Sequence, residues 1–493
     1  MAFLPTPLDA AEYPPPPAPS TPRTRRAVAL ACLAAALVSI AVLFDLGRLD
    51  LWDPDEANYA EIAREMNLSG DWLVPHSNFR PYLEKPPLAF WGAALALRLV
   101  ADPETAARLP AAAAGLILLF AAALWARRTL PAGGALAAVL VLGTSSGFLI
   151  CARLGILDLP LTACISVSLF GFERCVLAGG GRGGWFLFYA GMAAGCLVKG
   201  PIAAVLPALC AGLAAAWVRP PHFWRRLDPV RGALLFLALA APWYAAVELR
   251  SPGFLRGFLL DHHLLRFAGD GIEHRHPLPR WAYAPLVILA AIPWIVAGPG
   301  ALTSASRRIR AGDPRATLLV VWALLPVILF ALSSTRLAQY ALPSVPPLGL
   351  LVAWHVAEHR WRPALLFLLA LAGVGLHAGF ERGLGTGLNE RRSLRALAQE
   401  ASRRAADGEP ILSYRLGKPF ASVFYSGRRV RFLEEEVTFD QFVASPRRLW
   451  ILIDEGERSR LEQRHRRPFR PALEQGGRSL ITNRPVPQGN PEP

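Results

Sequence analysis

Lysine is nearly missing from this 493-residue sequence: of 52 basic residues only Lys85, Lys199 and Lys418 are lysines, and the rest are arginine. With so much Ala, Gly and Pro, that bias reads as genome composition, and it makes the few lysines conspicuous. Charge as a whole is scarce. Asp, Glu, Lys and Arg make up 18% of the chain, where an ordinary soluble protein carries about 25%. Hydrophobic residues reach 53% and the mean hydropathy is +0.33, which argues against a standard soluble enzyme. The six cysteines (Cys32, Cys151, Cys164, Cys175, Cys196 and Cys210) lie in or beside apolar segments, with no paired spacing in polar loops. They read as small buried hydrophobes, not as a disulfide framework or a metal cluster. A phosphate-cradling glycine motif is also missing, since Gly179 to Gly184 has no Walker lysine. No nucleotide cofactor is therefore expected.

What the sequence does have is apolar length. Runs of 17 to 22 apolar residues recur between Ala27 and Phe380, long enough for helices to cross a hydrocarbon core of about 30 Å. A polytopic α-helical membrane protein is expected, with spans near 27–46, 109–126, 132–152, 159–177, 185–198, 201–218, 232–248, 281–303, 316–333, 340–357 and 363–380. The segment 86–100 would make a twelfth, but it is short and carries Arg98. With eleven spans the inside loops collect Arg127–Arg128, Arg174, Arg182, Arg219, Arg225, Arg226, Arg231, Arg307, Arg308, Arg310, Arg360 and Arg362. Twelve would turn these clusters outward, so the positive-inside rule selects eleven, and 86–100 reads as a juxtamembrane helix on the outer surface. The net charge of +15 is then architectural and needs no nucleic-acid partner.

Three regions follow. Residues 1–26 are Pro-rich and end in arginines, the pattern of a disordered cytoplasmic tail. Residues 27–380 form the membrane domain. Residues 381–493 hold 21 basic and 15 acidic residues, with strand-like stretches at 410–414, 429–433 and 449–453 and a helical one at 394–406. They read as a small soluble α/β domain on the outer, periplasmic side.

Six polar features fall on that outer face. The first loop carries Asp53, Asp55 and Glu56 before a short helix whose apolar residues Tyr59, Ile62, Ala63 and Met66 share one side. Asp53 or Asp55 capping that helix is an even alternative to a functional role, but three acids in four residues beside a bilayer exceed what a cap needs. The same loop ends in Glu84 and Lys85. Asp158 opens a span, where the helix dipole alone favours a carboxylate. Lys199 sits at another outside turn, where snorkelling is the plainer reading. The loop 249–280 holds His262, His263 and Arg266; adjacent histidines point apart on a helix and are a weak metal signal. Arg336 and Tyr340 close the set, the first as a topological outlier or an anion ligand, the second as a belt aromatic or a phosphate ligand. Carboxylates and cations at one membrane surface suit a lipid substrate with an acidic head: cations would hold a phosphate, and Asp55 would take a proton from an attacking hydroxyl.

These motifs resemble the lipid-carrier-dependent glycosyltransferases of the GT-C fold. They run through Asp55–Met66, Gly70–Leu73, Tyr82–Leu88, Ala152–Leu154, Leu157–Thr162, Val198–Pro201, His263–Phe267 and Tyr340–Pro343. The branch resembled is the aminoarabinose transferase group, within the wider dolichyl-phosphate-mannose–protein mannosyltransferase relatives. The resemblance covers about residues 45–350. It implies that Asp55 is the essential first-loop aspartate, that Asp158 is the second acidic position, and that Lys85, Arg266 and Tyr340 surround the carrier phosphate; Glu56 is a further catalytic candidate, and Arg336 and Lys199 are further candidates for the phosphate. It also implies a divalent metal near Glu84 and the His262–His263 pair. One departure stands out: many members of the aminoarabinose branch have an arginine where this chain has Asn58, which puts sugar and acceptor in question but not the reaction class. The expected activity is inverting transfer of a sugar from a polyprenyl phosphate, undecaprenyl phosphate above all, to a lipid or glycan acceptor on the periplasmic face of a bacterial inner membrane. Protein O-mannosyl transfer is the alternative. A transporter ranks lower, because the charges cluster at one face and no repeat is visible.

Overall fold

The computed structural model describes residues 22–265, 278–444, 446–466 and 468–484. The expected cytoplasmic tail, apart from its last residues, and the chain end from 485 onward lie outside the described residues. The first helix, α1 (Pro22–Leu43), starts a few residues before the apolar run that identifies it. Seven described helices are long and apolar enough to cross a membrane. Two helix pairs also qualify when taken together, α5 (Gly134–Gly143) with α6 (Ser146–Ala152), bent by 64°, and Arg280–Ala290 with Trp294–Arg310, bent by 97°. The remaining two expected spans are the helices α8 (Arg182–Lys199) and α9 (Ile202–Val218). Seventeen residues in α9 give about 26 Å of helix, just under a full bilayer core. The segment too short to span is a twelve-residue helix, α3 (Leu88–Leu99), which buries Phe90, Ala93, Ala94 and Ala96.

Close backbone approach sets the frame of the bundle. Helix α7 (Asp158–Phe172) packs antiparallel on α8, and glycines line the contact. A Cβ on Gly171 would lie 2.5 Å from the Phe188 amide nitrogen, and one on Gly191 would lie 2.9 Å from both the Cys164 carbonyl and the Ser168 nitrogen. Without side chains between them the helices meet backbone to backbone, as small residues permit in membranes. The first residue of α7, Asp158, is thereby brought beside the last residue of α8, Lys199.

Helix α2 (Asp55–Ser69) carries acids in its first turn, which suits the helix dipole. It stops at Gly70, whose left-handed φ of 71° lets its N–H return to Met66 O. Sequence spacing predicts one apolar side, but the structure buries two. Tyr59, Ile62, Ala63 and Met66 join the membrane core, whereas Ala57 and Ala60 pack with Leu397, Ala421 and Phe424 of the carboxyl-terminal domain. A surface helix has become the seam between two bodies.

That domain is built on a five-stranded sheet in the order β4 (Val430–Leu433), β3 (Ile411–Tyr414), β5 (Trp450–Asp454), β7 (Arg478–Thr482), β6 (Arg470–Gln475). The first three strands pair in parallel and β5–β7–β6 antiparallel. The three expected strands and the helix Arg395–Arg404 fall where the pattern puts them. The β6–β7 hairpin turns through Gly476 and Gly477 at φ 62° and 79°, the left-handed pair that a two-residue turn of this kind requires.

Replacing Gly191 with leucine is expected to lower stability by about 1–3 kcal/mol, since Cys164 and Ser168 backbone must move. The thermal unfolding midpoint of the detergent-solubilised protein measures it, and an unchanged midpoint would contradict the close-approach reading.

Candidate active site

Each acid of the first loop has its own task. Neither Asp53 nor Asp55 caps α2: its N-cap position is Pro54, without a side-chain cap. Asp53 Oδ1 instead accepts the Ala421 N–H at 2.9 Å, tying the loop to the helix Phe420–Ser426 of the carboxyl-terminal domain. Glu56 is buried and held on all sides. Its two oxygens accept Arg108 Nε at 2.8 Å and Nη2 at 3.0 Å, Trp52 N–H at 3.0 Å and Gly155 N–H at 2.7 Å. A carboxylate so occupied is an anchor, so among the acids expected to act chemically Glu56 has a structural job. Arg108, near the start of α4 (Pro103–Thr129), also donates to the carbonyls of Leu46, Leu49 and Asp50. That residue was missed from sequence, although an arginine four residues after Glu104 at the head of an apolar run is the signal that intramembrane charges provide.

Asp55 starts α2 and faces a buried polar cluster. Lys199 Nζ lies 2.5 Å from Asp158 Oδ1, with both side chains largely buried. It does not snorkel. The same ammonium sits 4.9 Å from the centre of the Tyr340 ring, within cation–π range, and Asp55 lies in its electrostatic surroundings. Tyr59 is buried in the same neighbourhood. Burial first, then the nearby Asp55 carboxylate, with Tyr82, Asp158 and Tyr340 further contributors, pushes its hydroxyl well above the usual tyrosine range. Tyr59 is thus a neutral hydroxyl at ordinary pH. Tyr283, fully buried, donates to Leu337 O at 3.1 Å beside Tyr340; no sequence motif pointed to it.

Of the predicted residues, Asp55, Asp158, Lys199 and Tyr340 therefore converge. Lys85 stands on the same loop as Tyr82, its Nζ donating to Glu84 O at 3.1 Å. Arg336 directs Nε to Leu278 O and Nη1 to Ser333 O at 2.6 Å, closing a turn with part of its guanidinium. Arg266 and the side chains of His262 and His263 lie outside the described residues. Among the described residues, no group of three His, Cys, Asp or Glu side chains could hold a metal ion. Of the expected metal set only Glu84 is described. Asn58 is buried and accepts the Ser77 hydroxyl at 2.5 Å. An arginine there would need a counter-charge that Ser77 does not supply.

A family profile described as "Dolichyl-phosphate-mannose-protein mannosyltransferase" matches residues 84–245. An undecaprenyl phosphate-α-4-amino-4-deoxy-L-arabinose arabinosyl transferase of Edwardsiella ictaluri is 33% identical over 338 residues, 65% of this chain and 59% of the relative. One from Pseudomonas aeruginosa is 34% identical over 342 residues, 68% of this chain and 60% of the relative. The chain thus spans about three fifths of the length of these relatives, 59% and 60%. The crystal structure of ArnT from Cupriavidus metallidurans bound to undecaprenyl phosphate superposes with a TM-score of 0.78 at 21% identity, covering 94% of this chain and 99% of that one. The chain is a polytopic membrane protein of the GT-C fold. Within that class it is similar to the aminoarabinose transferases over about two thirds of its length and to the protein mannosyltransferase profile over residues 84–245.

Arg108→Leu is expected to destabilise the protein by about 3–5 kcal/mol, because it leaves Glu56 buried and unpaired. The double variant with Glu56→Leu should recover part of that loss. Unfolding in detergent, read as a double-mutant cycle, measures the coupling, and strict additivity would sink the idea.

Proposed function

We propose that the protein transfers a sugar from undecaprenyl phosphate to a lipid or glycan acceptor, inverting the anomeric carbon, at the periplasmic face of a bacterial inner membrane. The observation that carries this reading is the gathering of Asp55, Tyr59, Asp158, Lys199 and Tyr340 at one end of the bundle, beside the loop of Lys85. The relatives named as undecaprenyl phosphate-aminoarabinose transferases, and a fold neighbour bound to undecaprenyl phosphate, support the carrier.

In the reaction an acceptor oxygen attacks the anomeric carbon, and the bond from that carbon to the carrier phosphate breaks. Asp55 takes the acceptor's proton, or orients the acceptor if that is already an anionic phosphate. The carrier leaves as its phosphate, whose growing charge Lys85 stabilises, together with Arg266 as the resemblance implies. Lys199 is neutralised by Asp158, which leaves its remaining N–H donors for the phosphate side. The neutral Tyr59 hydroxyl can donate to the sugar or phosphate oxygens. The amino terminus lies in the cytoplasm and the carboxyl-terminal domain outside, in accord with the inside clusters of arginine.

Labelled undecaprenyl phosphate-aminoarabinose and lipid A in proteoliposomes test the reading. Asp55→Asn is expected to reduce turnover by about 10²–10⁴-fold, with Lys85→Ala also strongly impaired. Full activity of Asp55→Asn would remove its role as base, and labelled protein in place of labelled lipid would favour the mannosyltransferase alternative.

A further inference from the structure

We infer that the end of the bundle remote from Asp55 holds a binding site for an anionic phospholipid. Helices α8 and α9 approach the candidate site with Lys199 and Ile202, so their other ends, Arg182 and Val218, lie toward the opposite membrane face. There a cavity of about 640 Å³ opens between them and the short helix α10 (Phe223–Leu227). This falls within the size range of small-molecule sites.

The walls are apolar. Phe188, Tyr189 and Met192 of α8 face small residues of α9, among them Gly212. A Cβ on Gly212 would meet nothing within 4 Å, so the floor is open space. One wall is pinned by two bonds to a single carbonyl: Trp185 Nε1 donates to Leu227 O at 3.1 Å and the Tyr189 hydroxyl donates to it at 3.0 Å. These bonds fix α8 against the end of α10 and so set one wall of the groove.

Its mouth is basic. Arg219 lines the cavity, and Arg225 follows Trp224, an exposed lining aromatic. Both arginines are exposed, and neither pairs with a carboxylate among the described residues. Their neighbours are engaged otherwise: Arg226 donates to Val176 O at 2.9 Å, and the nearby acid Asp228 faces Arg231 at 3.3 Å. The Arg219 guanidinium at the end of the apolar groove, with Arg225 one residue beyond the lining Trp224, complements a ligand with a phosphodiester head and an acyl chain. Basic pockets between spanning helices recognise anionic lipids in this way, and the exposed indoles of Trp217 and Trp224 belong at the interface level. This site is separate from the reacting centre and does not rest on the proposed reaction.

The test uses the full chain, delipidated in mild detergent, with phosphatidylglycerol added against phosphatidylcholine of the same chains. Native mass spectrometry should find phosphatidylglycerol retained about tenfold more strongly, and the unfolding midpoint should rise with it alone. Arg219→Gln/Arg225→Gln should abolish that preference, and Gly212→Phe, which fills the floor while keeping both arginines, should weaken retention of both lipids. Equal retention of the two lipids, or an undiminished preference in the double variant, overturns the inference. If the double variant does not fold, undiminished retention by Gly212→Phe overturns it alone.

Discussion

One buried ion pair holds the candidate site together. Arg108 and Glu56 are 3% exposed each, and between them they bind five backbone groups from two stretches of chain, residues 46–52 and Gly155. Arg108 takes the carbonyls of Leu46, Leu49 and Asp50 within the α1–α2 connection, while Glu56 takes the amides of Trp52 and Gly155. Glu56 is adjacent to Asp55, and Gly155 is three residues before Asp158. The same node therefore sets where both candidate carboxylates stand. Gly155 suits this: a Cβ there would crowd the Ala107 carbonyl at 3.1 Å and Glu56 Cγ at 3.3 Å. Such a pair gains its stability from complete hydrogen bonding, because two charges taken from water without it would be a net loss.

A second guanidinium repeats the device a few residues away. Arg153 Nη1 and Nη2 bind the carbonyls of Ala41, Val42, Phe44 and Asp45 at the end of α1, and its Nε reaches Glu381 at 2.8 Å. Those carbonyls have no partner within the helix. With water scarce at this depth, an arginine from α6's end supplies the donors. Arg108 and Arg153 thus fasten the first helix, the first loop and the exit of the last spanning helix to the loop before α7.

Much of this was legible in the sequence, in proportion to how local its cause is. The spans announce themselves by apolar length, α3 by its shortness, and strands β3 to β5 by apolar runs between turns. Asp55, Asp158, Lys199 and Tyr340 were singled out because a topology drawn from arginine positions put them on one side. Pairing was not legible. Lys199 could not be told from a snorkelling lysine, since its partner lies 41 positions away and the glycine contacts of α7 and α8 decide the meeting. Capping by Asp53 had the right spacing, but an amide at position 421 competes for the same oxygen. The β6–β7 hairpin did carry a local signal, Gly476–Gly477, and could have been read.

The double burial of α2 has the widest consequence. Leu51 N–H donates to the Tyr425 hydroxyl at 2.8 Å, which in turn donates to Glu104 at 2.9 Å. Asp50 binds Asn389, Ser393 and Arg395, and Asn78 exchanges two bonds with Val430. These contacts place the carboxyl-terminal domain against one face of α2 while Tyr59 and its neighbours press the other face into the bundle. A helix clamped on both sides has little freedom to reorient its first residue. Asp55 is then held by the domain that the sequence set apart from the membrane half, and the two halves act as one support for the carboxylate.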